Sequence, residues 1–114
     1  MRRDDAYLLD ILIAARKALR FTEDIAREGF EGNDLIQNAV LYSLEVIREA
    51  AARISKDFKQ ANKQIEWQQI VGLKNRVTHE YFRIDLDTIW DTVQNDLPRL
   101  IEQIEPLVPP EDKV

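Results

Sequence analysis

The stretch Gly72-Leu-Lys-Asn-Arg-Val-Thr-His-Glu-Tyr-Phe82 gathers a histidine, an amide, a phenol and several cations. His79 is the only histidine of the chain, and the only side chain whose ordinary pKa lies near neutrality. Suppose these groups surround a phosphodiester of RNA, which carries its own nucleophile in the 2′-hydroxyl. A histidine can accept that proton or donate one to the leaving oxygen. A cation such as Lys74 and an amide such as Asn75 can stabilise the charge that builds on the phosphate. No metal is needed for this chemistry. The bland alternatives stand beside it: a single helical histidine is more often structural than catalytic, and Tyr81 reads first as a core aromatic. Spacing alone does not choose between these readings.

Helical geometry limits how these groups meet. Asn75 precedes His79 by four residues and shares its face on a helix. Lys74 precedes it by five, about 140° round the helix at 100° per residue. Lys74 and His79 then line a cleft from two sides, or meet across two subunits, rather than converge from one ideal helix. Arg76 lies about 200° from Lys74 and substitutes for it poorly. Arg76 and Arg83 remain candidates for contacting RNA phosphates.

Composition excludes several other chemistries. The chain has 114 residues, no cysteine, three glycines and four prolines. Without cysteine there is no disulfide framework and no thiolate chemistry, which fits a reducing, cytoplasmic setting. One histidine leaves no standard zinc site, and no metal or cofactor is expected. No glycine-rich phosphate loop occurs. No apolar run is long enough for a membrane span or a signal-peptide core, so no membrane association is expected. Net charge is −5, so the whole molecule does not attract nucleic acid indiscriminately. Residues 53–83, however, carry 7 Lys/Arg against 3 Asp/Glu, or +4, and hold the histidine. Such a block is more often a solvated face than a ligand site; RNA contact is the sharper alternative.

Four amphipathic helical patterns must position these residues, and no convincing strand is read. The first covers about Asp4–Glu28, with Leu8, Ile11, Leu12, Ala15, Leu19 and Ile25 on one stripe and Gly29–Gly32 as the stop. Asn33 or Asp34 caps the second, which runs to about Ser55. Residues 55–64 read as a connection, with room for one irregular turn. The third begins near Ile65 or Glu66 and continues through Tyr81. A break at Arg83-Ile-Asp-Leu-Asp follows, with Asp85 as a cap. The fourth shows the cleanest period, from Leu86 to Ile104. Pro98 interrupts it, and a kink near Asn95 is expected. The pattern predicts an all-α, up-and-down four-helix bundle spanning residues 1–108 as one domain, with a mobile tail at 109–114. An apolar stripe left uncovered in so small a bundle predicts a homodimer or larger assembly, with the third helix in the interface.

The motif segment Ile70-Val-Gly-Leu-Lys-Asn-Arg-Val-Thr-His-Glu-Tyr-Phe-Arg-Ile-Asp85 resembles the signature of the HepT branch of the HEPN superfamily. Arg3-Asp-Asp-Ala-Tyr-Leu-Leu-Asp-Ile-Leu12, Leu44-Glu-Val-Ile-Arg-Glu-Ala-Ala51, Ile65-Glu-Trp67 and Ile89-Trp-Asp-Thr-Val-Gln-Asn-Asp-Leu-Pro98 resemble it too, so the likeness covers nearly the whole chain. The resemblance implies a HEPN-like bundle that dimerises with two copies of the motif near the dimer cleft. It implies a metal-independent endoribonuclease toxin, paired with an MntA-type nucleotidyltransferase antitoxin. Carried over residue by residue, the catalytic histidine is His79, the polar residue is Asn75, and the tyrosine that receives AMP from the antitoxin is Tyr81. The family's arginine position is Lys74 here. Lysine keeps the charge but lacks the planar fork that grips a phosphate with two hydrogen bonds. Arg48 stands where the family usually has glycine, and a large cation there alters packing or brings charge to the cleft. Two further readings stay open: a HEPN binding module that docks a nucleotidyltransferase or binds nucleotide or RNA with little cleavage, and a purely structural helical dimer.

Overall fold

A computed structural model describes residues 3–72, 78–80 and 83–110 of the chain. The fold is all-α, with one very short strand pair inserted between helices. In chain order the elements are α1 (Arg3–Thr22), α2 (Arg27–Glu31), α3 (Asp34–Arg53), α4 (Lys56–Ala61), α5 (Trp67–Val71), β1 (Thr78–Glu80), β2 (Arg83–Ile84), α6 (Leu86–Asp91), a π-helical segment (Thr92–Asp96), α7 (Leu97–Ile104) and a 3-10 turn (Glu105–Leu107).

The inward stripes follow the predicted periodicity, with Ala18 and Val40 fully buried beside the residues the spacing names. Leu8, Ile11, Ala15 and Ala18 of α1 meet Val40, Leu44, Ile47 and Ala51 of α3, and all are buried. Small side chains at 15, 18 and 51 let the two long helices approach closely. Ile89, Val93, Leu97, Leu100 and Ile104 add the last helical run to the same core, with α7 lying against α1. The short α5 packs on α3 through Trp67 and Ile70.

Local chemistry sets most boundaries. Asn33, rather than Asp34, caps α3, its side chain accepting from the Ile36 amide at 3.0 Å. Pro98 has no amide proton, and its ring clashes with the carbonyl four residues back. The helix answers by widening into the π turn at Thr92–Asp96, which is where the sequence places a kink. Pro106 then stands in the 3-10 turn that ends the run.

Two helical boundaries differ from the sequence reading. The first helix stops at Thr22, short of Glu28. The Thr22 hydroxyl donates to Ala18 O and Leu19 O, both at 3.2 Å. Asp24 then takes a left-handed conformation with φ 69°, which a short polar side chain tolerates better than most. Gly29 lies inside α2, and the chain turns at Gly32 instead. Residues 55–64 are also more than a connection. Ser55 caps α4 by accepting from the Phe58 amide at 3.1 Å. Asp4 in turn accepts from the Ser55 amide and hydroxyl, at 2.9 and 2.7 Å. Asp4, in the first turn of α1, thus ties the start of α1 to the start of α4.

Buried polar groups stitch elements that periodicity cannot relate. Gln37 on α3 donates from Nε2 to the carbonyls of Phe30 and Glu31, at 2.8 and 3.0 Å, and so closes the end of α2. Gln94 in the π segment donates to the Thr22 hydroxyl at 3.1 Å. These bonds satisfy groups that would be costly to bury alone.

Candidate active site

The segment that carries the candidate chemistry enters from α5 and leaves into α6. Both ends are anchored. On the entry side, Trp67 is buried and donates from Nε1 to Asn62 O at 3.1 Å. Phe58 meets its ring edge-on, with centroids 6.2 Å apart, and the Lys59 ammonium lies 5.9 Å from the ring centroid. Helix α5 then ends at Gly72, whose amide bonds to Gln68 O at 3.0 Å.

On the exit side, Asp85 caps α6. Its carboxylate accepts from the Thr88 amide at 3.0 Å and from the Thr88 hydroxyl at 2.7 Å. Phe30 of α2 packs against Trp90 of α6 with ring centroids 5.4 Å apart. Arg27 pairs with Asp87, and this hydrogen bond holds the guanidinium above its ordinary pKa. The short α2 therefore braces the point where the motif segment rejoins the bundle. Removing the cap should cost a measurable part of the stability. Asp85→Ala is expected to lower unfolding free energy by about 1 kcal/mol, and Asp85→Asn by much less, because asparagine caps as well as aspartate. Paired thermal melts of the two variants check this.

Between the anchors the sequence expectation needs correction. The third helix does not run through Tyr81; it stops at Val71, and the backbone of Thr78–Glu80 is extended and pairs antiparallel with Arg83–Ile84. Thr78 faces Ile84 and Glu80 faces Arg83. One extra residue on β1 thus separates the two pairings, and that residue is His79. An extra residue of this kind kinks a strand, a device common beside active sites. The physical cause lies in the residue types: Gly72 ends the helix, and Thr78 and Ile84, which pair with each other, are β-branched and favour pleated backbone. The helical-wheel relations drawn between His79 and Asn75 or Lys74 therefore do not apply to His79. Arg83 opens β2, opposite Glu80. Lys74, Asn75, Arg76 and Tyr81 lie outside the described residues.

Arg48 is held by its own helix. It donates to both carboxylate oxygens of Glu45, at 3.2 Å from Nε and 2.5 Å from Nη2, and lies 3.8 Å from Glu49. The hydrogen bond to Glu45 is the main reason its pKa is raised. Among the described residues, no three His, Asp or Glu side chains come together to hold a metal ion. Among the same residues, no helix is long and apolar enough to cross a membrane. Sequence reading missed the bracing role of Phe30, which it placed within the Gly29–Gly32 stop. A large aromatic between two glycines was the available signal.

Comparison with known proteins bears on this motif directly. The profile of the family described as "Ribonuclease HepT-like" matches residues 11–107, which include both anchors and the segment between them. A protein of Methanocaldococcus jannaschii named "Putative RNase" is 38% identical over 88% of this chain and 92% of its own length. A protein of Thermococcus cleftensis named "Probable ribonuclease HepT" is 36% identical over 89% of this chain and 92% of its own. Another "Putative RNase", from Caldanaerobacter subterraneus subsp. tengcongensis, is 28% identical over 95% of this chain and 96% of its own. No solved structure matches the chain significantly. With a profile match over most of its length and near full-length relatives above 30% identity, the chain belongs to the HepT-like ribonuclease family of the HEPN superfamily.

Proposed function

We propose that this chain is a metal-independent endoribonuclease and the toxin of a toxin–antitoxin pair. The observation that carries the proposal is the family match over residues 11–107, which takes in the 70–85 motif with the chain's only histidine. His79 acts as the acid/base group. It takes the proton of a ribose 2′-hydroxyl as that oxygen attacks the adjacent phosphorus, or returns one to the 5′-oxygen that leaves. Lys74 supplies positive charge to the phosphate and Asn75 orients it. Arg76 and Arg83 contact neighbouring phosphates. The working unit is a cytoplasmic homodimer of the 1–108 domain, with the motif of each copy near the cleft.

In this reading an MntA-type nucleotidyltransferase silences the toxin. The Tyr81 phenol oxygen attacks the α-phosphorus of ATP, the bond to the β-phosphate oxygen breaks, and pyrophosphate leaves as the phenol loses its proton. The AMP placed two residues from His79 adds negative charge and bulk that compete for the same cations. The substitution at position 74 favours a second reading, in which the chain docks the nucleotidyltransferase or binds nucleotide or RNA and cleaves little.

One experiment separates these. Purified chain is incubated with RNA in the presence of EDTA, with and without prior treatment by the cognate nucleotidyltransferase and ATP. Cleavage is expected to survive the chelator and to stop after one or more AMP masses are added at Tyr81. Cleavage that stops in EDTA and returns with Mg²⁺ would overturn the metal-independent mechanism. RNA binding without cleavage selects the binding module.

A further inference from the structure

A shallow groove of about 340 Å³ lies between the end of α4 and the start of α5. Lys59 of α4 and Lys63 of the turn after it line one side, and Gln68 and Gln69 of α5 line the other. Lys56 stands one turn before Lys59, on the same face of α4. None of the three lysines forms an ion pair among the described residues, whereas Arg16, Arg27, Arg48 and Arg99 each do. Lys59 reaches across the Trp67 ring, 5.9 Å from its centroid, and the bond from Trp67 Nε1 to Asn62 O fixes that ring. Glu66, the carboxylate on this groove, lies 3.9 Å from Arg99, so its charge is partly offset. Residues 53–69 carry four cations against two acids, in a chain of net charge −5.

Such a surface fits a flexible polyanion. Ammonium groups spaced along a groove attract a phosphate backbone without regard to sequence. Lysine is a point charge on a flexible stem, so it needs no fixed fork geometry at each phosphate. The amides of Gln68 and Gln69 both donate and accept, as sugar and base edges require. A membrane surface fits less well. The apolar side chains on this groove, Ile65 and Trp67, are buried, so no apolar group enters the acyl layer beside the charges. Position matters as well. Helix α5 forms one side of the groove, is about 7 Å long at 1.5 Å per residue, and ends at Gly72, where the motif segment begins. We propose that the α4–α5 groove is a second, sequence-independent RNA site, in which Lys56, Lys59 and Lys63 bind phosphates of the single strand flanking the bond to be cut. The proposal rests on the ribonuclease reading for the identity of its ligand, and it assigns a role to lysines that the motif does not use.

Fluorescence anisotropy of the full chain with a labelled single-stranded RNA of about 20 nucleotides, longer than one such site, tests this. The RNA is 2′-O-methylated throughout, which removes the nucleophile and keeps the probe whole. Lys59→Gln/Lys63→Gln should weaken binding at least roughly tenfold and lower the slope of log K against log salt by about 1.4, at about 0.7 per phosphate on a single strand. Adding Lys56→Gln should lower the slope by about 0.7 more. Lys59→Arg/Lys63→Arg keeps both charges and should bind like the parent. So should Lys17→Gln/Arg20→Gln, which removes two cations about 20 Å along α1 from Asp4, where α1 touches α4. On cleavable RNA, Lys59→Gln/Lys63→Gln should raise KM far more than it lowers kcat. RNA binding that depends on these lysines, in a chain that cuts nothing, supports the site and overturns the ribonuclease reading alone. Binding unchanged in the glutamine variant, reduced equally in the α1 control, or not kept by arginine overturns the site, whatever the cleavage assay shows. So does a parent chain that binds phosphatidylserine vesicles through these lysines and does not bind the RNA.

Discussion

Replacing His79 by alanine should abolish RNA cleavage while leaving the helical circular dichroism intact. His79 is the one side chain of the chain whose ordinary pKa lies near neutrality, which makes it the natural group for proton transfer at pH 7. Loss of general acid–base catalysis alone is worth roughly 10²–10⁴-fold, enough to bring a modest ribonuclease to background. The fold should survive, because the helical core is built from side chains such as Leu8, Ile11, Val40, Ile47, Ile89, Val93 and Leu97, none of which is altered. Initial rates on a labelled RNA, read beside far-ultraviolet spectra, check both halves. Cleavage by the variant at the parent rate would assign the activity elsewhere or to a contaminant. Position 74 offers a graded companion in the same assay. If Lys74 stabilises charge in the transition state, Lys74→Ala should lower the rate by roughly 10²-fold or more. Lys74→Arg should keep or raise it, because the guanidinium adds a second hydrogen bond. An alanine variant that cleaves as well as the parent would favour the binding module.

The second large effect concerns stability. Phe30→Ala should lower the unfolding free energy by about 3–5 kcal/mol, the range for truncating a buried aromatic. Phe30 is fully buried, packs on Trp90, and forms the apolar side of the brace between α2 and α6. Domains of this size have roughly 5–15 kcal/mol in total, so the variant should be marginal, with Tm lower by more than about 10 °C. Leu35→Ala, at a side chain 79% exposed, serves as control and should stay within about 0.5 kcal/mol of the parent. Urea unfolding of the two variants against the parent gives the comparison. A Phe30→Ala loss as small as that of Leu35→Ala would mean that α2 braces nothing.

Several features were legible because their causes are local. The stripes of α1, α3 and the Leu86–Ile104 run follow from 3.6-residue periodicity, and Leu8, Ile11, Leu12, Ala15, Leu44, Ile47, Ala51, Ile89, Val93, Leu97, Leu100 and Ile104 are buried as the spacing predicts. Asn33 and Asp85 cap helices because a short polar side chain reaches an amide three residues on. Pro98 disrupts its helix because the missing donor and the ring clash belong to the residue itself. The 70–85 motif was legible for the same reason: residue types in order along the chain carry a family likeness without any fold.

By itself, then, the sequence determined the all-α class, the Asp85 cap and a cap at Asn33 or Asp34, the helix disruption near residue 95 and the HepT-like family. Tertiary structure alone decided where α1 stops, that residues 56–61 form a helix, and that Thr78–Glu80 leaves the helical pattern to pair with Arg83–Ile84. It also decided that Phe30 sits under Trp90, that Asp4 holds Ser55, and that a groove stays open between α1 and α3. The physical reason is one of range. Periodicity, caps and prolines act over three or four residues, whose relation is set by one backbone. Strand pairing, aromatic packing and an uncovered face depend on partners tens of residues apart, and exist only once the core has brought those segments together.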